Sequence, residues 1–171
     1  MAATYTLISS VTVSSSSVAN IEFTSIPQTY TDLLVKLSIR QTKSDGYSEI
    51  YMKINNSSSN FTIKVITATG TSPSSYNNTV GIVGSALGVT SNGGTSSFSN
   101  NEIYIPNYTN SNYKSYSADS VVVRNYSTWN PKDIIAGVWS NTAAITSLLF
   151  ESPSYNIEQY STAYLYGIRS S

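Results

Sequence analysis

The stretch from Asp32 to Gln41 constrains the fold of this chain most, because its apolar and polar residues alternate one by one. One face of the stretch becomes polar after Leu34, whereas the other face is continuously apolar. The apolar face consists of Leu33, Val35, Leu37 and Ile39. A period of two residues is typical of a β-strand with one buried side. Such a strand must lie in a sheet that packs on a second layer, so the stretch predicts a layered β-structure.

Most other apolar segments of the chain have the same short, alternating pattern and are separated by turn residues. The pattern predicts about ten strands and no helix. We therefore expect an all-β fold, a jelly-roll-like antiparallel β-sandwich of two sheets. Residues 1–171 are expected to form a single sandwich domain. An irregular Gly-rich excursion is expected near residues 70–97, which contain Pro73 and six glycines.

Two β-hairpins are predicted from strands that follow each other along the chain. Segments 4–13 and 18–24 are separated by four serines, and segments 48–55 and 60–69 by the polar turn at residues 56–59. Short polar connections of this kind are typical of hairpins. Within the first segment, the run from Ile8 to Ser10 interrupts the alternation and predicts a bulge or a kink.

The low charge of the chain limits its classes of partner. Charged residues make up 11% of the chain, against about 25% in typical soluble domains. The nine basic residues are scattered singly and balance nine acidic ones, so no cluster could neutralise the phosphates of a nucleic acid. A net charge near zero favours association with other proteins. No apolar run approaches the roughly 18 residues of a membrane-spanning helix, so we expect no nucleic-acid or membrane partner.

The chain contains neither histidine nor cysteine. Their absence excludes the Ser-His-Asp and Cys-His nucleophilic sites and the thiolate zinc sites. A pair of carboxylates could still serve glycoside hydrolysis as acid and base, but we favour the interpretation that these residues are solvated strand ends. The candidate carboxylates are Glu22, Glu49, Glu102, Glu151 and Glu158. We expect no enzyme activity, no cofactor and no metal site.

Aromatic residues are the remaining candidates for contact with a ligand or partner. They surround the turn at Pro106 and continue into a later loop. The candidates are Tyr104, Tyr108, Tyr113, Tyr116, Tyr126 and Trp129. Tyrosines among Asn and Ser are typical of sugar-binding and paratope-like surfaces, since the rings supply contact area and the amides supply hydrogen bonds. The alternative is that these tyrosines pack within the sheet or contact another subunit. Tyrosines at every second position of a strand favour this alternative.

Three segments of the chain, taken together, resemble small β-rich virion proteins of tailed bacteriophages, such as those of cyanophages. The segments are Ile26–Leu34, Gly137–Leu148 and Ser161–Ile168. The resemblance implies a non-enzymatic structural protein, a capsid decoration or cement protein or a head-fibre component, that binds capsid or other virion proteins. It implies a place on the virion surface, and our hypothesis is a homotrimer that is assembled in the host cytoplasm. The alternative is a carbohydrate- or receptor-binding module of a tail fibre, which would bind a host-surface glycan through the aromatic residues.

Overall fold

The computed structural model describes residues 5–14, 16–44, 46–88, 97–122 and 130–169, and these residues form twelve strands. None of the described segments is a helix that could cross a membrane. The strands are β1 (Tyr5–Thr12), β2 (Asn20–Phe23), β3 (Asp32–Gln41), β4 (Tyr47–Ile54), β5 (Phe61–Thr69), β6 (Ser72–Asn78), β7 (Ile82–Gly88), β8 (Ser99–Ile105), β9 (Lys114–Val121), β10 (Lys132–Trp139), β11 (Leu148–Glu151) and β12 (Thr162–Ile168).

The strands form a sheet of eight and a sheet of four. The larger sheet has the order β1-β12-β3-β8-β9-β10-β5-β6, and the smaller has the order β2-β11-β4-β7. Neighbouring strands are antiparallel, except where Arg40 and Gln41 at the end of β3 run parallel to the end of β7. The prediction of an all-β sandwich with two antiparallel sheets is confirmed. Its jelly-roll connectivity stays a prediction.

The hydrophobic core lies between the two sheets. Strand β3 lies inside the larger sheet between β12 and β8, and all four residues of its apolar face are buried. The smaller sheet contributes residues such as Ile50 and Phe150 to the same core. Because each fully buried Leu, Ile or Phe stabilises the fold by about 1.5–3 kcal/mol, the alternating pattern of β3 fixes which side of the sheet faces inward.

The two predicted hairpins are wrong, because β1 and β2 lie in different sheets, and so do β4 and β5. Strand β1 pairs with β12 and β2 pairs with β11. Likewise, β4 pairs with β11 and β7, whereas β5 pairs with β10 and β6. Alternation indicates which face of a strand is buried, but it does not indicate which strand lies beside it. Two strands of a hairpin and two strands that face each other across a core show the same alternation. The predicted irregularity in β1 is confirmed, since the register shifts between Leu7 and Ser9.

The segment predicted as an irregular excursion contains two strands, and residues 89–96 of it lie outside the described residues. Strand β6 is the outermost strand of the larger sheet, where Pro73 is tolerated because the edge of a sheet needs no donor. Strand β7 belongs to the smaller sheet. At Gly84, which has a positive φ of 150°, a Cβ atom would collide with the side chain of Asn101, so glycine allows β7 to approach the larger sheet closely.

Candidate functional site

The outer face of the larger sheet, formed by the side chains that point away from the core, is the candidate functional site. Six of the nine large hydrophobic residues that are exposed among the described residues lie on it, with 37% to 56% of their surface accessible. They are Tyr5, Leu7, Ile66, Tyr104, Ile134 and Tyr164. Soluble monomers rarely expose large contiguous apolar patches, and such patches typically mark interaction sites.

One part of this face, the tyrosine patch, extends across β1, β12, β3 and β8. Leu7, Tyr166, Leu34 and Tyr104 form a row of direct cross-strand neighbours. The patch comprises Tyr5, Leu7, Leu34, Tyr104, Tyr164 and Tyr166. A shallow depression of about 340 Å³ lies within it, with buried Leu34 as its floor and Tyr5 and Tyr166 on its walls. The patch therefore offers aromatic rings around a small hollow.

The ion pair between Lys36 and Glu102 crosses the tyrosine patch. Lys36 Nζ lies 2.9 Å from Glu102 Oε2, and both side chains are about half exposed. The hydrogen bond to Glu102 raises the pKa of Lys36, and the attraction of the carboxylate adds to the effect. An exposed pair of this kind contributes little to stability. Its consequence is electrostatic, since the two charges neutralise each other at the centre of the patch.

Tyr104 is fixed in place by hydrogen bonds at the edge of the tyrosine patch. Its hydroxyl donates to Asp32 Oδ2 at 2.7 Å, and the other oxygen of that carboxylate accepts from the backbone N–H of Asn107 at 2.8 Å. The hydrogen bond to Asp32 raises the pKa of Tyr104. Asp32 thus joins the start of β3 to the turn after β8, and the Tyr104 ring is oriented before any partner arrives.

A second part of the outer face, the isoleucine pair, lies on β5 and β10. Ile66 and Ile134 are directly opposite each other, and each has about half of its surface exposed. A depression of about 340 Å³ beside them is lined by Lys64, Ile66 and residues 73–75. Because both side chains are half exposed, the fold lacks part of the stabilisation that their full burial would provide. The pair therefore extends the apolar part of the outer face to the opposite end of the sheet.

The structure separates the aromatic residues that the sequence grouped together. Tyr104 lies on the outer face, and Tyr113 is 63% exposed just before β9. Tyr108 and Tyr116 are buried, so the prediction that they contact a ligand or partner is wrong. The Tyr108 hydroxyl donates to the carbonyl oxygen of Pro27, and the Tyr116 hydroxyl donates to that of Ile82 at 3.1 Å. Tyr126 and Trp129 lie outside the described residues.

Lys114 holds the loop that carries Tyr108 and Tyr113. Its side chain is buried, and Nζ donates to the carbonyl oxygens of Asn110 at 2.6 Å and Asn112 at 2.5 Å. Burial lowers the pKa of Lys114, because desolvation disfavours the charged amine. The amine thus replaces water as the donor for carbonyl groups that the tight loop turns inward.

Replacing Lys114 with methionine is expected to lower the free energy of unfolding by about 1–3 kcal/mol. Methionine retains the apolar stem but leaves the loop carbonyls without their donor. Urea denaturation measures the effect, and Lys132→Met, at an exposed position on β10, is the matched control. If both variants unfold at the wild-type urea concentration, Lys114 does not stabilise the loop.

Most residues of the outer face cannot be recognised from the sequence pattern, because apolar residues on strands are expected in the core. The available signal was an apolar residue on the polar side of a strand. Leu34 stands on the polar face of β3, Ile134 alternates with buried Ile135, and Tyr164 follows buried Ala163. An apolar side chain on the second face of a strand thus marks either a second buried layer or a contact surface.

Three of the five candidate carboxylates have side-chain partners that lie on several strands. Glu102 pairs with Lys36, and Glu151 Oε1 lies 2.7 Å from Lys53 Nζ. Glu49 accepts hydrogen bonds from the hydroxyls of Tyr51 at 2.9 Å and Tyr76 at 3.2 Å. Over the described ranges, no three acidic side chains come together in a way that could hold a metal ion.

Comparisons with protein-family models, with curated proteins and with solved structures find no match to this chain.

Proposed function

We propose that this chain is a non-enzymatic structural protein on the surface of a tailed-phage virion, a capsid decoration or cement protein or a head-fibre component. In this proposal the outer face of the larger sheet binds the capsid or another virion protein. The observation that carries it is the concentration of exposed aromatic and aliphatic side chains on that face. The resemblance of the three sequence segments to phage virion proteins supports the choice of assembly.

The chemistry of the outer face suits contact with a protein. Tyrosines contribute strongly to binding at protein interfaces because they bury a large area at a low entropic cost. The Lys36–Glu102 pair leaves no net charge at the centre of the patch, so a partner need not supply a matching charge. A standard interface takes about 800 Å² from each partner. That area is about a tenth of the 8440 Å² of accessible surface of the protein.

Replacing Ile66 with lysine is expected to weaken binding to virion particles at least tenfold. The substitution places a charge between Ile134 and Ser75 at the proposed contact, where burying an unpaired amine costs several kcal/mol. The measurement is co-sedimentation of the purified protein with particles of the phage whose genome encodes it. Ser59→Lys adds the same charge on the exposed turn before β5 and is expected to sediment like the wild type.

Two outcomes of this experiment would overturn the proposal. Wild-type protein that stays in the supernatant at every concentration of particles would exclude a virion partner. Equal binding by the wild type and the Ile66→Lys variant, with thermal melting showing that the variant is folded, would exclude the outer face as the contact surface.

Binding of a host-surface glycan is the second candidate function, and the depression in the tyrosine patch is the observation that favours it. Tyr5 and Tyr166 could stack on a sugar ring while Lys36 and Glu102 form hydrogen bonds with its hydroxyls. A glycan array decides between the two functions. Specific binding that Tyr5→Ala abolishes would support the module, and no signal on any host glycan would remove it.

A further inference from the structure

Strand β1 is an outer strand of the larger sheet with few of the features that prevent edge association. Within the described residues it pairs with β12 alone. It is eight residues long, contains no charged residue and no proline, and exposes Tyr5 and Leu7. A long, uncharged, apolar edge strand is a ready template for pairing with another chain. Natural proteins usually prevent such pairing with charges, prolines, bulges or short strands.

The other outer strands carry those protective features. Strand β6 is polar apart from Pro73 and Tyr76, and Pro73 lacks an N–H group. Strand β2 is only four residues long and carries exposed Glu22. Strand β7 pairs with β4 on one side, and on the other side its end pairs with Arg40 and Gln41 of β3. The bulge in β1 is confined to Ile8, and the residues from Ser9 to Thr12 pair regularly with β12.

The hydrogen-bond pattern identifies the backbone groups of β1 that face away from the sheet. Val13 N–H donates to the carbonyl oxygen of Ser161, so the backbone of Val13 faces β12. Residues of an antiparallel strand alternate in the direction of their N–H and C=O groups. Val11 and Ser9, paired with Ala163 and Leu165, therefore also face β12. The N–H and C=O groups of Ser10 and Thr12 point to the open edge.

We infer that β1 pairs with β1 of a second copy of this chain, in antiparallel orientation about a two-fold axis. A two-fold axis brings the same surface of each copy together, which requires a surface that does not repel itself. Strand β1 has no charge, the nearby Lys36 and Glu102 neutralise each other, and the net charge of the chain is zero. The pair joins the two larger sheets edge to edge and brings the Tyr5 and Leu7 side chains of both copies to one seam.

This pairing leads to a dimer, or to a larger assembly with an even number of copies, rather than to the homotrimer of our hypothesis from the sequence. It uses the sheet edge and leaves the isoleucine pair on each copy uncovered. The inference therefore stands apart from the proposed function. Loss of β1 pairing changes the mass of the protein in solution, whereas loss of the outer-face contact changes sedimentation with particles.

Replacing Ser10 with proline tests the inference. Proline removes the N–H group that points to the open edge and puts a ring in its place, but it leaves the hydrogen bonds of Ser9 and Val11 to β12 intact. Light scattering after size-exclusion chromatography is expected to give twice the mass of one chain for the wild type. The same measurement is expected to give the mass of one chain for Ser10→Pro, with at least a tenfold weaker dimer. Ser10→Ala retains the N–H group and is expected to remain dimeric.

Cross-linking gives an independent readout, because the chain has no cysteine of its own. Oxidation of a Ser10→Cys variant is expected to yield a disulfide-linked dimer, since antiparallel pairing brings the two thiols near the axis. Ser59→Cys, on an exposed turn outside β1, is expected to cross-link only slowly. A wild type that is monomeric or trimeric at tens of micromolar would overturn the inference. A folded Ser10→Pro variant that stays dimeric, or Ser59→Cys cross-linking as fast as Ser10→Cys, would do the same.

Discussion

Replacing Gly137 with alanine is expected to lower the free energy of unfolding by about 3 kcal/mol, at the upper end of the usual cost of overpacking a core. A Cβ atom at this position on β10 would overlap the ring of Tyr116 on β9. The ring cannot move aside easily, because it is only 3% exposed. Its hydroxyl donates to the carbonyl oxygen of Ile82 in the smaller sheet, and its edge packs on Phe61 with ring centroids 6.5 Å apart.

Chemical denaturation of four variants tests whether this cost arises from the ring. In the background of Tyr116→Leu, which removes the overlapping atoms, Gly137→Ala is expected to cost much less, with a coupling energy of about 2 kcal/mol. Gly167→Ala is the matched comparison. Its Cβ would meet the ring of Tyr30, but Tyr30 is partly exposed and can rotate outward, so a smaller loss is expected. Equal losses at both glycines, or additive effects of Gly137→Ala and Tyr116→Leu, would contradict the explanation.

The larger part of the layered fold could be predicted from alternation alone. Strand β3 has the predicted bounds of Asp32 and Gln41, and its four apolar residues are buried as expected. This prediction succeeds because water on one side and a core on the other impose a period of two residues, whatever strands lie beside it. The pairing of β1 with β12 joins the two ends of the described chain, and no local pattern contains that information.

The candidate site was harder to predict, because tyrosine suits both a core and a surface. Tyr104 and Tyr116 are separated by a single turn region, yet one is exposed and the other is buried. The difference arises from the direction in which each residue points on its strand. Tyr116 shares the inward face of β9 with Lys114 and Ala118, and Tyr104 shares the outward face of β8 with Glu102. Lys114 is buried although charged residues are usually exposed. The loop carbonyl groups that accept its hydrogen bonds come together only in the folded chain, so the sequence does not reveal them.

The arrangement of tyrosines explains how one residue type can serve two purposes in this fold. Tyr108 and Tyr116 reach loops or the opposite sheet with their hydroxyls, which satisfies buried carbonyl groups while the rings fill the core. Tyr104, Tyr164 and Tyr5 turn similar rings toward solvent on the outer face. In a chain with few charges, the phenol group can thus supply both hydrogen bonds in the interior and a contact surface on the outside.

Raising the pH above about 10, the ordinary pKa of tyrosine, is expected to unfold the protein. Burial raises the pKa of Tyr116, and burial together with the hydrogen bond to Glu49 raises the pKa of Tyr51 to about 12. Above about pH 10, these tyrosines lose their protons in the unfolded chain but retain them in the folded chain. The folded state is therefore fully stabilised only below the pKa that the tyrosines have in the unfolded chain. This stabilisation is lost as the pH rises toward the higher pKa that they have in the folded chain. For each such proton, the free energy of unfolding falls by about 1.4 kcal/mol per pH unit. Tyr51 contributes less than Tyr116 because it is partly exposed.

Lys114 has the opposite effect on stability, because its pKa is lower in the folded chain. This effect is confined to pH values below the pKa of about 10.5 that a lysine has in the unfolded chain.

Alkaline titration followed by tyrosinate absorbance and by circular dichroism measures this effect. Of the 14 tyrosines, the exposed ones are expected to ionise near their ordinary pKa, and the buried ones only together with the loss of the β-sheet signal. Tyr116→Phe removes the ionisable group from the core but retains the ring, so the unfolding midpoint in urea should fall less steeply with pH in this variant than in the wild type. Ionisation of all tyrosines in a single step while the β-sheet signal persists would show that the Tyr116 hydroxyl is accessible to water, and the two layers would then not be closed around it.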